Sequence, residues 1–204
     1  MLRAGWGARR FRSLLDESPE PVQPFVPPRA QEEWYALGLM AHAEPITTPG
    51  FEIRRAARED ADAVHRCLVA AFEPYRAQYT EGAFADTVPS PEGIEERLRD
   101  MALFVATAPD GAIVGTIACQ DMGGGLGHLR GMAVEAGWQG RGVADALIEQ
   151  AEDELRRVGC RRVNLHTTQP LARAQRFYAR HGFRLTGDVE DFFGMEIAEH
   201  GKDL

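Results

Sequence analysis

The residues Gln139-Gly140-Arg141-Gly142-Val143-Ala144 join a glycine-containing turn to the start of a long amphipathic pattern. A turn of this kind is an anion site by construction. The first N–H groups of a helix have no intrahelical acceptor, and the aligned peptide dipoles add roughly half a positive charge at that end. Gly140 and Gly142 lack Cβ atoms, so backbone N–H groups can approach a phosphate to hydrogen-bonding distance. Several phosphate-binding patterns compete for the stretch. A Walker loop needs a Gly-Lys-Ser/Thr step, and none occurs in the chain. A dinucleotide fingerprint needs a third glycine where this chain has Asp145, and it needs an early strand, whereas the strand here follows a hairpin. The pattern Gln/Arg-x-x-Gly-x-Gly/Ala is met by Gln139, Gly142 and Ala144. The run Gly123-Gly124-Gly125 is not followed by a helix, so it reads as a hairpin loop rather than a phosphate cradle.

Groups that could move protons lie on either side of this turn. His128 and Arg130 stand two residues apart on one strand, hence on one face, with Glu135 at that strand's end and His166 on the next strand. Histidine suits proton removal near neutral pH. For each histidine taken singly, a hydrogen-bonded structural role competes with a catalytic one.

Composition narrows the classes. The chain has 204 residues, 44% of them hydrophobic, and a formal charge of −8. That length fits one domain plus an extension. An acidic surface disfavours nonspecific binding to nucleic acid or to an anionic membrane, and it suits a cationic partner such as an amine. The three cysteines, Cys67, Cys119 and Cys160, are odd in number and form no CxxC pair. The expectation is therefore no disulfide framework, no metal site and a reducing, cytoplasmic setting. No apolar run approaches the length of a membrane span.

The elements that must position these groups follow in order. Residues 1–50 read as a separate extension. Arg3, Arg9, Arg10 and Arg12 precede the first acid, Asp16, without the apolar core of a secretory signal; an Arg-rich start is also a feature of organellar transit peptides. Pro19, Pro21, Pro24, Pro27 and Pro28 impose extended geometry. Residues 30–41 have the spacing of a short helix, with Trp34, Leu37 and Ala41 on one side. The domain is expected over 51–204. A strand at 51–55 is followed by a helix with Val64, Cys67, Leu68, Ala71 and Phe72 on its apolar face and Asp60 as N-cap. Residues 74–88 read as a loop or broken helix. Ser90-Pro91 opens a helix with Ile94, Leu98 and Met101 inside. Strands at 103–106 and 112–119 flank an Asp110-Gly111 turn, and a third spans 126–134. Val143, Leu147, Ile148, Ala151 and Leu155 form the inner face of the helix after the glycine turn, with Glu152–Arg156 and Asp153–Arg157 as ion pairs on its wet face and Gly159 as its stop. A strand at 163–167, a helix opened by Gln169-Pro170 and ended by Gly182, and strands at 183–186 and 193–198 complete the chain. The acidic residues Asp188, Glu190 and Asp191 read as their solvated connector. No repeat is present. This order predicts a mixed α/β sheet rather than an alternating doubly wound one.

The glycine turn, the preceding Met132-Ala133-Val134 and the later run 173–183, RAQRFYARHGF, together resemble the GNAT superfamily of N-acetyltransferases. The resemblance covers about three-quarters of the chain. It implies the GNAT fold, a mostly antiparallel sheet splayed between the fourth and fifth strands. It further implies acetyl-CoA as cosubstrate, with the backbone of Gln139, Gly140, Arg141, Gly142, Val143 and Ala144 on the pyrophosphate and the edge of Met132, Ala133 and Val134 along the pantetheine arm. That edge would donate an N–H to the thioester carbonyl. A primary amine, whether small molecule, amino acid or protein amine, would attack directly with both substrates bound. Tyr178 matches the family's general acid, its usual pKa near 10 leaving only a mildly uphill transfer to a thiolate near 8.5. The base is open between His166, His128, a water relay and the 73–90 segment, because Arg130 stands where many members carry a glutamate. Leu171 replaces a CoA-contacting asparagine, so one contact is weakened. Phe72, Tyr75, Tyr79 and Phe84 fall in the segment that walls the acceptor site, although each also reads as cover for the core. Dimers are frequent in the superfamily, so a homodimer is among the assemblies implied. The alternative reading is an acyl-CoA-binding sensor without turnover, motivated by Arg130.

Overall fold

The computed structural model describes residues 50–204. The Arg-rich start, the proline segment and the short helix expected at 30–41 lie outside the described residues. One mixed sheet of seven strands organises the remainder, in the order β1-β2-β3-β4-β5-β7-β6. The strands are β1 (Glu52–Arg55), β2 (Ala102–Thr107), β3 (Ile113–Asp121), β4 (Leu126–Val134), β5 (Arg162–Thr168), β6 (Arg184–Phe192) and β7 (Met195–Asp203). Every neighbouring pair is antiparallel except β4 and β5, which are parallel. The helices are α1 (Ala61–Phe72), α2 (Glu81–Thr87), α3 (Pro91–Asp100), α4 (Val143–Arg157) and α5 (Ala172–Arg180).

Two apolar layers sandwich the sheet, as its two-sided burial requires. On one face α4 sends Val143, Leu147, Ile148, Ala151 and Leu155 onto Val114, Leu129 and Val163. The close approach depends on Gly127: a Cβ there would stand 2.6 Å from Leu155 Cδ1. On the other face Val64, Cys67, Leu68 and Phe72 of α1 and Ile94 of α3 pack on Leu103, Val105 and Ala118. The expected apolar faces of the helices at 64–72 and 143–155 are thus the buried ones. Ser90 Oγ accepts from Gly93 N at 3.3 Å with Pro91 at the first helical position, as its sequence suggested.

Several local expectations are corrected. Asp60 does not cap α1. Its carboxylate accepts from Ala57 N at 2.7 Å and from Arg54 at 2.6 Å, closing a 3-10 turn at Arg58–Asp60 that precedes the helix. Residues 74–88, by contrast, meet one of their two expectations and are a broken helix: a 3-10 segment, Glu73–Gln78, then α2. On α4, Glu152 is not on the wet face. It is 5% exposed and takes Lys202 Nζ at 2.7 and 2.8 Å as well as Arg156 at 3.1 Å. Asp153 bonds Arg156, and Arg157 bonds Glu154, so these pairs close at i,i+3. The α5 helix begins at Ala172, after a turn in which Leu171 N donates to Thr168 O. The acidic residues 188–191 are not a connector. They lie within β6, and the reversal comes later, at Phe193 and Gly194.

Candidate functional site

The glycine turn is held open from both sides. After β4, a 3-10 turn at Ala136–Trp138 delivers the chain to Gln139, and α4 starts at Val143. Gly140 (φ +77°) and Gly142 (φ +83°) occupy the left-handed region that favours glycine. A Cβ built on either meets no atom within 4 Å, so both face open space. Gln139 fixes the turn through Nε2, which donates to Val134 O at 2.9 Å, while its Oε1 accepts a hydrogen bond from Arg173 of α5. The guanidinium of Arg141 lies 5.2 Å from the Trp138 ring centroid. Asp145, which occupies the place of a third glycine, has its carboxylate 2.9 Å from His181 Nε2. The first turn of α4 therefore presents backbone N–H groups to open space, the arrangement by which a helix start can take an anion.

Beside the glycine turn the sheet divides. β4 and β5 pair only from Leu126↔Arg162 to Leu129↔Leu165. Beyond that rung β4 continues along β3 to Gly115↔Val134, while β5 continues along β7 to Thr168↔Ile197. Among the described residues no strand pairs with the β5-facing edge of Met132, Ala133 and Val134. A bulge accompanies the division: Ala118 pairs with Arg130 and Thr116 with Ala133, so β4 holds one residue more than β3, and Gly131 takes φ +62°. The expected splay is present.

Tyr178 lies in the buried cluster that contains Val134 and Leu165, residues from the two diverging strands, and Val143 at the start of α4. It is 7% exposed, with the rings of Phe177 and Phe183 at 5.5 and 5.7 Å. Burial raises its pKa, so the hydroxyl is firmly protonated at neutral pH. A proton transfer from this hydroxyl to a thiolate would be steeper than unperturbed values suggest. Leu171 is half-buried and packs against the α1-side cluster.

The opposite sheet face carries the histidines. His128 Nδ1 is 2.8 Å from Asn164 Oδ1, and Asn164 Nδ2 donates to Glu199 Oε2 at 2.6 Å. His166 Nε2 lies 3.9 Å from the same Glu199 oxygen, and the two imidazole rings are 5.6 Å apart. Burial lowers the pKa of His128 to about 4, against a smaller opposing effect of Asn164. Burial also lowers that of His166, opposed by the charges of Glu190 and Glu199. Arg130 is held in an ion pair with Asp86 of α2 at 2.5 Å, and Arg97 of α3 donates to the Asp86 carbonyl. Burial and the nearby Arg130 lower the Arg97 pKa to about 10. Glu135 lies on the far side of Val134, at the start of the 3-10 turn.

Of the aromatic residues expected to wall the acceptor site or cover the core, Phe72 at the end of α1, Tyr79 and Phe84 cover the core, whereas Tyr75 is half-buried and belongs to neither apolar cluster. Phe72 and Phe84 are buried and meet Tyr79 edge-on at 6.4 and 6.2 Å. Tyr79 adds a polar link, its hydroxyl 2.8 Å from Thr168 Oγ1 at the end of β5. The structure thus brings His128 and His166 together, and Gln139 to Ala144 next to Met132–Val134, with Tyr178 in the buried cluster that holds Val134 and Leu165. Sequence reasoning missed Asn164, Glu199 and Asp86. Asn164 had a signal: it stands two residues before His166 on a strand and so shares its face. Among the described residues no group of three His, Cys, Asp or Glu side chains could hold a metal ion, and no helix is long and apolar enough to cross a membrane.

Comparison with known proteins gives a consistent picture. The model of the acetyltransferase (GNAT) family matches residues 62–183. Among solved structures, the PaiA N-acetyltransferase of Thermoplasma acidophilum in complex with coenzyme A is similar at 18% identity and a TM-score of 0.65, covering 76% of this chain and 99% of the other. A GNAT-family acetyltransferase of Staphylococcus aureus Mu50 is 19% identical with a TM-score of 0.64 over 76% and 99% of the two chains. Ard1 of Thermoplasma volcanium is 19% identical with a TM-score of 0.62 over 76% and 97%.

Proposed function

Since the chain belongs to the GNAT family of acetyltransferases, we propose that it transfers an acetyl group from acetyl-CoA to a primary amine by direct attack, with both substrates bound. The observation that carries this reading is the conjunction of an open glycine cradle at a helix start with an unpaired strand edge beside it. The cradle suits a pyrophosphate, and the edge of Met132, Ala133 and Val134 suits the amides of a pantetheine arm. An N–H from that edge stabilises the negative charge that grows on the thioester oxygen. His166 accepts the amine proton; it stands one residue past the last β4–β5 rung, at the mouth of the splay. His128 is the weaker candidate, because its basicity is lowered further. Tyr178 returns a proton to the departing thiolate. Holding amine and thioester together supplies much of the rate.

The amine is a small molecule, an amino acid or a protein amine; Glu190 and Glu199 on the β6–β7 side favour a cation. The competing reading is an acyl-CoA sensor that does not turn over. The capture of Arg130 by Asp86 motivates it, since the position that carries a carboxylate in many members holds no base here. A thiol-release assay with acetyl-CoA across a panel of amines separates the two. Amine-dependent thiol release supports the transferase; tight CoA binding without release for any amine refutes it in favour of the sensor.

A further inference from the structure

Four polar side chains on three neighbouring strands form a connected chain on the sheet face away from α4. His128 and Asn164 are partners in the parallel ladder of β4 and β5, and His166 and Glu199 are partners in the antiparallel ladder of β5 and β7. The hydrogens in this chain are fixed by what each group can do. A carboxylate only accepts, so the amide nitrogen of Asn164 must face Glu199. The amide oxygen then faces His128 Nδ1, which must carry the hydrogen of their 2.8 Å contact. Neutral His128 is thereby held as the Nδ1–H tautomer, with its lone pair on Nε2. The same Glu199 oxygen stands 3.9 Å from His166 Nε2, too far for a hydrogen bond and close enough for its charge to act on the ring.

Building on the amine acetylation proposed above, the geometry points to Glu199 as the positioning residue of the proton-accepting site: it sets the His128 tautomer through Asn164 and compensates the charge of His166 when His166 takes the amine proton. In that step an N–H bond of the substrate ammonium breaks and its electron pair stays on nitrogen. The proton forms a new N–H bond on the neutral imidazole, and it later leaves to water. The Glu199 carboxylate and the new imidazolium sum to zero charge, so a partly buried site never holds an unbalanced cation. Glu199 is itself a poor candidate for the base, because the oxygen nearest His166 already accepts from Asn164. Among the described residues, the charged and titratable groups that act on His166 are Glu199 and His200 of β7, Glu190 of β6, and Arg130 and His128 of β4. Of these, Glu199 is its cross-strand partner.

The test compares the wild-type chain with Glu199→Gln, which keeps the shape and removes the charge, Glu199→Asp, which restores a carboxylate, and Asn164→Ala, which removes the bridge between Glu199 and His128 while keeping the carboxylate beside His166. Histidine ring titration by NMR is read without any acceptor. Glu199→Gln is expected to lower the His166 pKa by about one unit, and Asn164→Ala to remove the His128 tautomer preference while the His166 pKa stays. With an amine that the wild type acetylates, Glu199→Gln is expected to lower kcat, leave CoA affinity unchanged and move the acid limb of the pH profile to lower pH, with Glu199→Asp recovering part of both. An unchanged His166 titration in a folded Glu199→Gln variant overturns the proposal. A wild type inactive on every amine instead sinks the acetylation reading, while the titration still decides the placement of Glu199.

Discussion

Filling the glycine cradle should remove CoA binding at small cost to the fold, and the size of each effect follows from Gly142. This residue has φ +83° and ψ −3° at the N-terminus of α4, and a Cβ there meets nothing within 4 Å. The Cβ of Gly142→Trp therefore clashes with no part of the protein. The variant carries the left-handed backbone penalty of an L residue, roughly 1–2 kcal/mol. For a domain of this size that lowers Tm by about 2–8 °C. The indole would occupy the space through which the N–H groups of the first turn of α4 reach an anion. Each hydrogen bond to a charged group contributes about 1.5–3 kcal/mol, so losing two weakens CoA binding by at least about 100-fold. Calorimetric titration with CoA, beside a thermal melt, measures both quantities. Pantetheine, which lacks the pyrophosphate, is the internal control, and its weaker binding should be unchanged. A folded Gly142→Trp protein with wild-type CoA affinity would refute the loop assignment. An equal loss for CoA and pantetheine would show instead that the variant disturbs the strand edge.

Other perturbations address the remaining parts. Tyr178→Phe should lower kcat by about 10²- to 10⁴-fold with CoA affinity unchanged; equal kcat removes Tyr178 from the mechanism. Because burial raises the Tyr178 pKa, the fold favours the protonated phenol, a stabilisation present below the unfolded pKa near 10 and lost as pH rises beyond it; Tyr178→Phe should flatten alkaline unfolding. His128 has the opposite sign. Its pKa falls from 6.5 to about 4, so the unfolded chain takes up a proton that the fold refuses, and stability declines as pH falls between those values. The full shift corresponds to about 3 kcal/mol, and His128→Gln should show a shallower acid transition in urea melts between pH 7 and pH 4. Lys202→Met should destabilise by about 2–3 kcal/mol, the lower end for a broken buried pair because Arg156 still reaches Glu152. A second change, Glu152→Gln, should then recover most of the loss, and an absent recovery would show that Lys202 acts through packing alone.

What was legible in the sequence depended on backbone geometry and local period. The cradle needed two glycines and a helix start, both written in consecutive residues. The inner face of α4 repeats every four residues, and Val143, Leu147, Ala151 and Leu155 are all buried. The histidine site was only half legible. His128 and His166 stood out as residue types, but the groups that tune them arrive through register. Glu199 is 35 positions from Asn164 and reaches it because β7 inserts between β5 and β6 in a ladder that pairs His166 with Glu199. Nothing local to β7 announces that pairing. Glu152 failed for the same reason: helical period put it outside, and Lys202, on the last strand, folds over it. The acidic residues 188–191 were misread because solvated charge suggests a turn, whereas β6 is the sheet's edge strand, and charge on an edge discourages pairing with another chain.

Arg130 is best understood together with these edge acids. Its guanidinium and that of Arg97 share a single residue, Asp86, one through the carboxylate and the other through the carbonyl. Two guanidinium groups, of Arg130 on β4 and Arg97 on α3, thus stand around the one carboxylate of Asp86. Glu190 and Glu199, whose charges act on His166 from the β6–β7 side, leave that side negative. Under the amine acetylation proposed above, an ammonium entering between them would be repelled from Arg130 and drawn toward Glu199, and His166 lies on that side. In that reading the field would guide the proton to be removed toward the histidine. On that proposal, arginine in place of the β4 carboxylate relocates the proton acceptor rather than removing it: the anionic charge stands on β7, with the imidazole of β5 next to it.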